Sequence, residues 1–410
     1  MKKLISFILS LVMLCTCAFA SDINVIVNDT KLNFDVPPVV ENGRTLVPLR
    51  AIFEALGADV NWDGATQSAY ASTDGVDVSL TLGSDVMTVN GVSKKLDVPA
   101  KAVEGRTLVP VRAISEAFGC DVMWEGTQST VHISEDKTLS ELGVGDFANN
   151  PYTVVNGNVP YFNIDNYSSL SFEMYLPLDN LSRCTYAMSM LGDETLPTED
   201  RGSISSVTPS GWKSLTFDVV PGKYLYNRCH LIGYQLSAEN ANECNLITGT
   251  RYFNVEGMLP FENMIADYIK ETKNHVLYRV TPVFSGGDLV AKGVLMEAMS
   301  FEDRGKGICF NVFCHNVQPG ITINYSDGSA SSSGIVPATS NVQASDTASA
   351  GNNTPFVGSI TYVLNLNSKK FHIPACSSIN RMKPSNREDT SLSRDDIINR
   401  GYDPCGICKP

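Results

Sequence analysis

The sequence predicts an α+β protein of several domains, and three observations predict it. A strand–helix–strand unit near the N-terminus occurs twice at an offset of 62 residues. A central region sets a strand ahead of a helical segment, and the last 56 residues carry one histidine and three cysteines. At 410 residues the chain is too long for one core, and its 43% hydrophobic and 18% charged residues are ordinary for folded domains.

Residues 1–20 read as a signal peptide. Lys2 and Lys3 precede an apolar run from Leu4 to Leu14, and Ala18-Phe19-Ala20 before Ser21 forms a small-residue cleavage site. Cys15 follows Leu14 rather than a small residue, which argues against a lipoprotein. No later run approaches the roughly 18 apolar residues of a membrane span, so the expected location is secreted, extracellular or associated with the cell envelope.

Residues 23–135 are expected to form an α+β repeat domain. Gly43-Arg44-Thr45-Leu46-Val47-Pro48 recurs as Gly105-Arg106-Thr107-Leu108-Val109-Pro110, and Asp59-Val60-Asn61-Trp62 recurs as Asp121-Val122-Met123-Trp124. Pro48 and Pro110 suit a first helical turn, and Gly57 and Gly119 suit a helix stop. Ile52 with Leu56, and Ile114 with Phe118, lie four apart on one helical face. His132 is the only histidine here, and no nucleophile stands with a base, so the region reads as a spacer or adhesion module rather than a catalyst. Arg44 and Arg106 either pair within the fold or contact a wall polymer. The repeat is similar to the copper amine oxidase N-terminal-like (stalk) domain found in exported bacterial proteins.

Residues 146–327 form the central domain. The Ser/Ala/Asn/Thr-rich stretch 328–354 cannot bury a core and reads as a flexible linker. A small segment, 355–410, follows.

Net charge is −13, and loss of Lys2 and Lys3 makes the mature chain more acidic still. Long-range repulsion excludes a general polyanion binder, so any contact with nucleic acid must rely on a local cleft and a bound cation. Of the eleven cysteines, Cys15 and Cys17 leave with the signal, and the odd remainder argues against complete disulfide pairing.

The residues richest in chemistry fall between 223 and 270. Lys223 to Asn227 reads as a strand running into Arg228-Cys229-His230-Leu231; an amide-rich stretch follows, and Pro260 opens a helix marked by Phe261, Ile265 and Tyr268. Phosphodiester cleavage needs a base to take a proton from water, a cation to neutralise charge on the phosphate and leaving oxygen, and side chains to hold that cation. His230 suits the base, since imidazole accepts a proton at neutral pH. Asn254 offers the neutral oxygen that Mg²⁺ accepts, Glu262 can hold one of its waters, and Arg228 can grip phosphate in a fork. Asn227 or Asn245 would orient the histidine or brace the loop. Each has a structural reading as well: a satisfied strand-end histidine, a turn asparagine, a first-turn glutamate and a surface arginine.

Residues 223–262 resemble the DNA/RNA non-specific endonucleases of the ββα-metal (His-Me finger) group, in their secreted bacterial branch. The family hallmark is Asp-Arg-Gly-His, followed by two asparagines nine apart and a glutamate eight further on. Here Asn227-Arg228-Cys229-His230 occupies the hallmark, Asn245 and Asn254 keep the first step, and Glu262 keeps the second. The resemblance implies a ββα-metal core on an antiparallel sheet, with His230 as general base and Asn254 as direct ligand to Mg²⁺, for which Mn²⁺ can substitute. It further implies that Glu262 holds the ion through water, that Arg228 and Asn245 support the site, and that the substrate is DNA or RNA. Arg201 reads equally as a phosphate contact or a structural residue. Two departures stand out: Asn227 in place of Asp removes a charge, and Cys229 in place of Gly adds a side chain beside the base. Cys229 and Cys244 either form a disulfide or remain thiols, with Cys309 and Cys314 as rival partners. The break from Gly257 to Pro260 argues against one continuous helix for Asn254 and Glu262.

In the tail, His372 and Cys376 are followed by Cys405 and Cys408 in Cys-x-x-Cys spacing, a set that suits tetrahedral zinc; a disulfide among the three cysteines is the alternative. The segment resembles small Cys/His modules appended to exported nucleases. Two other readings of the whole chain are a non-catalytic envelope protein that binds DNA or adheres, and an antibacterial toxin.

Overall fold

The computed structural model describes residues 23–73, 75–333, 362–372, 376–390, 397–398 and 400–406. The expected signal peptide, most of the expected linker and Cys408 lie outside the described residues.

In the repeat domain, strand β1 (Asn24–Val27) pairs in parallel with β4 (Thr130–Ser134), so the ends of the domain meet in one sheet. Between them, β2 (Arg44–Pro48) runs into helix α1 (Leu49–Ala55), and the second copy repeats this as β3 (Arg106–Pro110) and α2 (Val111–Ala117). Each proline ends its strand as the helix N-cap, and Gly57 and Gly119 close the helices at φ +75° and +77°, a conformation that glycine adopts without strain. Strands β2 and β3 pair antiparallel with Val47 opposite Val109, so the two copies face each other about a local two-fold axis. Arg44 bonds Asp97 and Arg106 bonds Asp35, each arginine reaching the acid of the other copy. Both arginines are thus paired inside the fold.

The central domain is built on a six-stranded antiparallel sheet, in spatial order β5 (Tyr152–Val154), β12 (Cys309–His315), β11 (Gly293–Ser300), β10 (Val276–Val283), β7 (Ala187–Leu191) and β6 (Phe172–Tyr175). Its middle strands are buried on both faces and so read as nearly continuous apolar runs. Strand alternation sends Tyr278 and Val280 to the face under the long helix, with Phe261 and Ile265 in the same core. Leu277 instead joins Ile26 and Met123 of the repeat domain. Beside it Arg279 bonds Asp29 at 2.5 and 3.0 Å and Glu297 at 2.6 and 2.9 Å, a buried ion cluster across the domain boundary. His132 stacks on Tyr167 at the same boundary, with ring centroids 5.7 Å apart. The repeat domain thus covers part of one face of the sheet, and the segment around Leu142, Val144 and Val155 packs on Val283, Leu295 and Phe313 of the sheet.

On the other side of the sheet lie the hairpin of β8 (Tyr226–His230) and β9 (Leu246–Thr250), and the helical run that follows it. The strand begins three residues later than the sequence suggested and carries His230 as its last residue. Gly257 and Pro260 do not break the run, contrary to expectation: a π-helical stretch, Phe253–Met258, passes directly into α3 (Leu259–Thr272). Wider π turns leave room for the proline ring at the start of the α-helix, and Pro lacks only an N–H that a first turn does not use. Another difference concerns residues 328–333, expected as linker: Ala330–Ser332 pairs with Ile321–Ile323, and Tyr226 Oη donates to the Gly328 carbonyl. A Cβ at Gly328 would lie 1.8 Å from the Gly211 carbonyl oxygen, so this close crossing requires glycine.

In the tail, Tyr362–Asn365 and Lys370–His372 form a hairpin, and Val363, Cys376, Ile379 and Cys405 join the central-domain core. Arg381 donates to the Lys306 carbonyl at 2.7 Å, so the tail is docked on the central domain.

Candidate active site

A cleft of about 700 Å³ opens over the β8–β9 hairpin, and His230, Arg228, Asn227, Arg201, Asn254 and Glu262 all line it. Asn254 arrives from the π-helical stretch and Glu262 from the first turn of α3, two turns on along the same side. Asn245, expected to support this site, stands apart from the cleft. It is fully buried, accepts from Ile232 N–H at 2.9 Å and donates to the Ile232 carbonyl at 3.0 Å. Its work is to brace the loop that follows His230.

His230 is 7% exposed. Its Nε2 lies 2.8 Å from the Asn240 carbonyl, which can only accept, so Nε2 carries the proton and Nδ1 keeps its lone pair. Arg201 Nη2 sits 3.4 Å from Nδ1. Burial lowers the imidazole pKa to about 4, Arg201 adds to the effect, and the Asn240 carbonyl opposes it. The ring is therefore neutral and able to accept a proton at pH 7.

Glu262 is buried beneath the cleft, and burial raises its carboxyl to about 7 against the pull of Arg201 and the Gly233 N–H. A Cβ on Gly233 would stand 2.9 Å from the Glu262 carboxyl atoms, so glycine in the loop after His230 lets the carboxylate keep its position. Among the described residues no salt bridge within 4.0 Å involves Glu262. A buried carboxylate in that setting, with a carboxamide oxygen opening on the same cleft, fits a hydrated divalent cation.

Arg228 is held in place by its neighbours. Its guanidinium lies 4.1 Å from the centre of the Trp212 ring and donates to the Ser205 and Val207 carbonyls. That leaves Arg201 as the less committed guanidinium beside the base, a role that sequence spacing alone left undecided because 29 residues separate it from His230.

Cys229 points away from the cleft and is fully buried, which raises its thiol pKa. A Cβ on Gly249 would fall 2.5 Å from its sulfur, so the partner strand makes room for the added side chain. Cys229 and Cys244 are both free thiols, as are the rival partners Cys309 and Cys314. In the tail, ligand atoms of His372, Cys376 and Cys405 lie within 4.8 Å of one another, all three residues buried.

Residues 26–133 match the copper amine oxidase N-terminal domain family, and residues 163–301 match the DNA/RNA non-specific endonuclease family. One curated relative, a primary amine oxidase of Klebsiella aerogenes, is 33% identical over 100 residues, spanning 24% of this chain and 13% of that protein. Among solved structures, NucA from Streptococcus agalactiae with bound magnesium aligns with 24% identity and a TM-score of 0.41, over 46% of this chain and 88% of its own. Sda1 nuclease with bound zinc aligns with 26% identity and a TM-score of 0.38, over 45% and 97%. The two matches divide the chain into a DNA/RNA non-specific endonuclease domain, residues 163–301, and a copper amine oxidase N-terminal domain, residues 26–133.

Proposed function

We propose that the chain is a secreted, metal-dependent endonuclease that hydrolyses phosphodiester bonds of DNA, and of RNA, with His230 as the general base. The carrying observation is the convergence of His230, Arg201, Asn254 and Glu262 on one cleft. With Nε2 tied to the Asn240 carbonyl, Nδ1 takes a proton from water, and the imidazolium formed is oriented by that same carbonyl. Arg201 meets the phosphate next to the base, while Arg228 on Trp212 lines the wall along which the chain lies. Asn254 and Glu262 would hold Mg²⁺ or Mn²⁺, Glu262 through water, and the ion would neutralise charge on the leaving 3′ oxygen to give 5′-phosphate ends. The two guanidiniums and the ion supply the local positive field that a chain of net charge −13 otherwise lacks.

Plasmid degradation by the purified chain with Mg²⁺, repeated with chelator and with His230→Ala, tests this reading. Full activity in the variant would refute the assigned base. Full activity in chelator would refute the metal.

Zinc is proposed for His372, Cys376 and Cys405, with Cys408, outside the described residues, as fourth ligand. The mutual reach of three soft or borderline donors supports it. Export is proposed from residues 1–20, and no helix among the described residues is long and apolar enough to cross a membrane. The repeat domain is proposed to hold the enzyme at the cell wall.

A further inference from the structure

The 62-residue repeat places two matching clefts on the N-terminal domain. One, of about 580 Å³, is lined by Asp35, Arg50, Trp62 and Arg106. The other, of about 480 Å³, is lined by Asp97, Arg112, Trp124 and Arg44. Each of these residues in one cleft has the identical residue type 62 positions away in the other. Other lining positions differ between the copies, Asn61 against Met123 and Ala69 against Val131. The ion pair in each cleft is made between the copies, Arg106 with Asp35 and Arg44 with Asp97, so each cleft needs both halves of the domain.

The tryptophans are unusual for a folded surface, at 44% and 46% exposed. Each is seated in the same way. Its indole Nε1 lies 3.9 Å (Trp62) or 3.5 Å (Trp124) from where a side chain on Gly64 or Gly126 would begin. The intervening acid ties down the turn: Asp63 accepts from Ala65 N–H, and Glu125 accepts from Thr127 and Gln128 N–H. Each indole is thus a supported aromatic plate opening onto a cleft.

We propose that these clefts are two equivalent binding sites for sugar units of an uncharged polysaccharide, which gives a ligand to the wall-holding role proposed above and rests on that reading. An indole face attracts the weakly positive C–H face of a pyranose ring, and a neutralised Arg–Asp pair beside it offers donors and acceptors to hydroxyl groups. Nucleic acid is the weaker fit, because residues 23–135 hold fifteen acidic against eight basic side chains and one carboxylate stands in each cleft. One cleft alone binds weakly, and two on one rigid domain gain by acting together on a polymer.

The test uses the full chain with two probes, N-acetylglucosamine hexamer by calorimetry and purified peptidoglycan sacculi by co-sedimentation. Wild type should bind the hexamer at two sites, Trp62→Ala or Trp124→Ala at one, and the double variant at none. On sacculi each single variant should weaken retention roughly 100-fold. Trp62→Phe/Trp124→Phe should keep much of the binding, and an unchanged calorimetric melting curve in every variant reports an intact fold. Sacculi retained equally by wild type and double variant would overturn the clefts while leaving wall attachment standing. Failure of wild type to bind either probe would overturn both, and displacement of the hexamer by single-stranded DNA would reassign the clefts to nucleic acid.

Discussion

Asp29→Ala strikes the join between the two domains where it is most electrostatically committed. Asp29 grips Arg279 with two bonds, of 2.5 and 3.0 Å, and the arginine side chain is only 7% exposed. Burial opposes the guanidinium charge, and Glu297 and Asp29 together hold it, raising the arginine pKa further. Removing one partner of a buried pair commonly costs about 3–5 kcal/mol because a charge is left uncompensated. Here Glu297 remains 2.6 Å from Arg279 Nε, so the loss should fall nearer 2 kcal/mol. Asp29 also anchors Asn166 through its carbonyl, a contact the substitution leaves in place. Calorimetry should show the main transition lowered by roughly 5 °C and divided, with the repeat domain melting apart from the nuclease. A double-mutant cycle with Arg279→Met should return a coupling of about 1–3 kcal/mol. A single transition within about 1 °C of wild type, or additive costs, would show that apolar contacts alone join the domains and that the ion cluster contributes nothing net.

Further outcomes are expected. His230→Ala should lower kcat by about 10²–10⁴-fold with little change in Tm, since the role proposed for the histidine is to accept a proton; steady-state kinetics beside a melting curve reads both. In the free enzyme the acid limb of kcat/KM should lie well below 6.5, because burial holds His230 near 4. Gly233→Ala should raise the Mg²⁺ concentration needed for half-maximal activity by about tenfold, because the new methyl group displaces the Glu262 carboxylate. His132 is buried and burial lowers its pKa to about 4. The unfolded chain therefore takes up this proton first, and about 3 kcal/mol of stability present above pH 6.5 is lost as pH falls toward 4. His132→Phe should flatten that limb of a denaturant-midpoint profile. Metal analysis of the purified chain should find about one zinc, absent in Cys376→Ser, with a lowered nuclease melting point because the tail packs on that core.

The site was legible to the extent that its residues are close along the chain. His230, Asn254 and Glu262 lie within one hairpin-and-helix unit, so spacing carried them together onto one cleft. Arg201 comes from a separate loop, and no local spacing brings it to His230. Asn245 braces the loop after His230, one of the two roles open to it from the sequence, but its target, the backbone of Ile232, is not revealed by side-chain type. The helix break expected at Gly257–Pro260 failed because tertiary packing of Phe253, Met258 and Phe261 outweighs local propensity. In the repeat domain, the repeated sequence announced two similar units, but the crossed ion pairs depend on how the units face each other. The part of the sheet face covered by the repeat domain was hidden too, since a strand buried on both sides looks the same whichever partner covers it.

The facing of Val47 and Val109 across the central strand pair has a historical reading. Neither copy can complete its ion pair or close its sheet alone, so a shorter ancestor holding one unit would have had to associate with a second molecule of itself. Fusion of two such genes would have converted a self-complementary dimer contact into an intramolecular one, freeing stability from protomer concentration. Domains of this kind should therefore grow by whole pairs of units, and an odd number would leave one arginine and one strand edge seeking a partner in another chain.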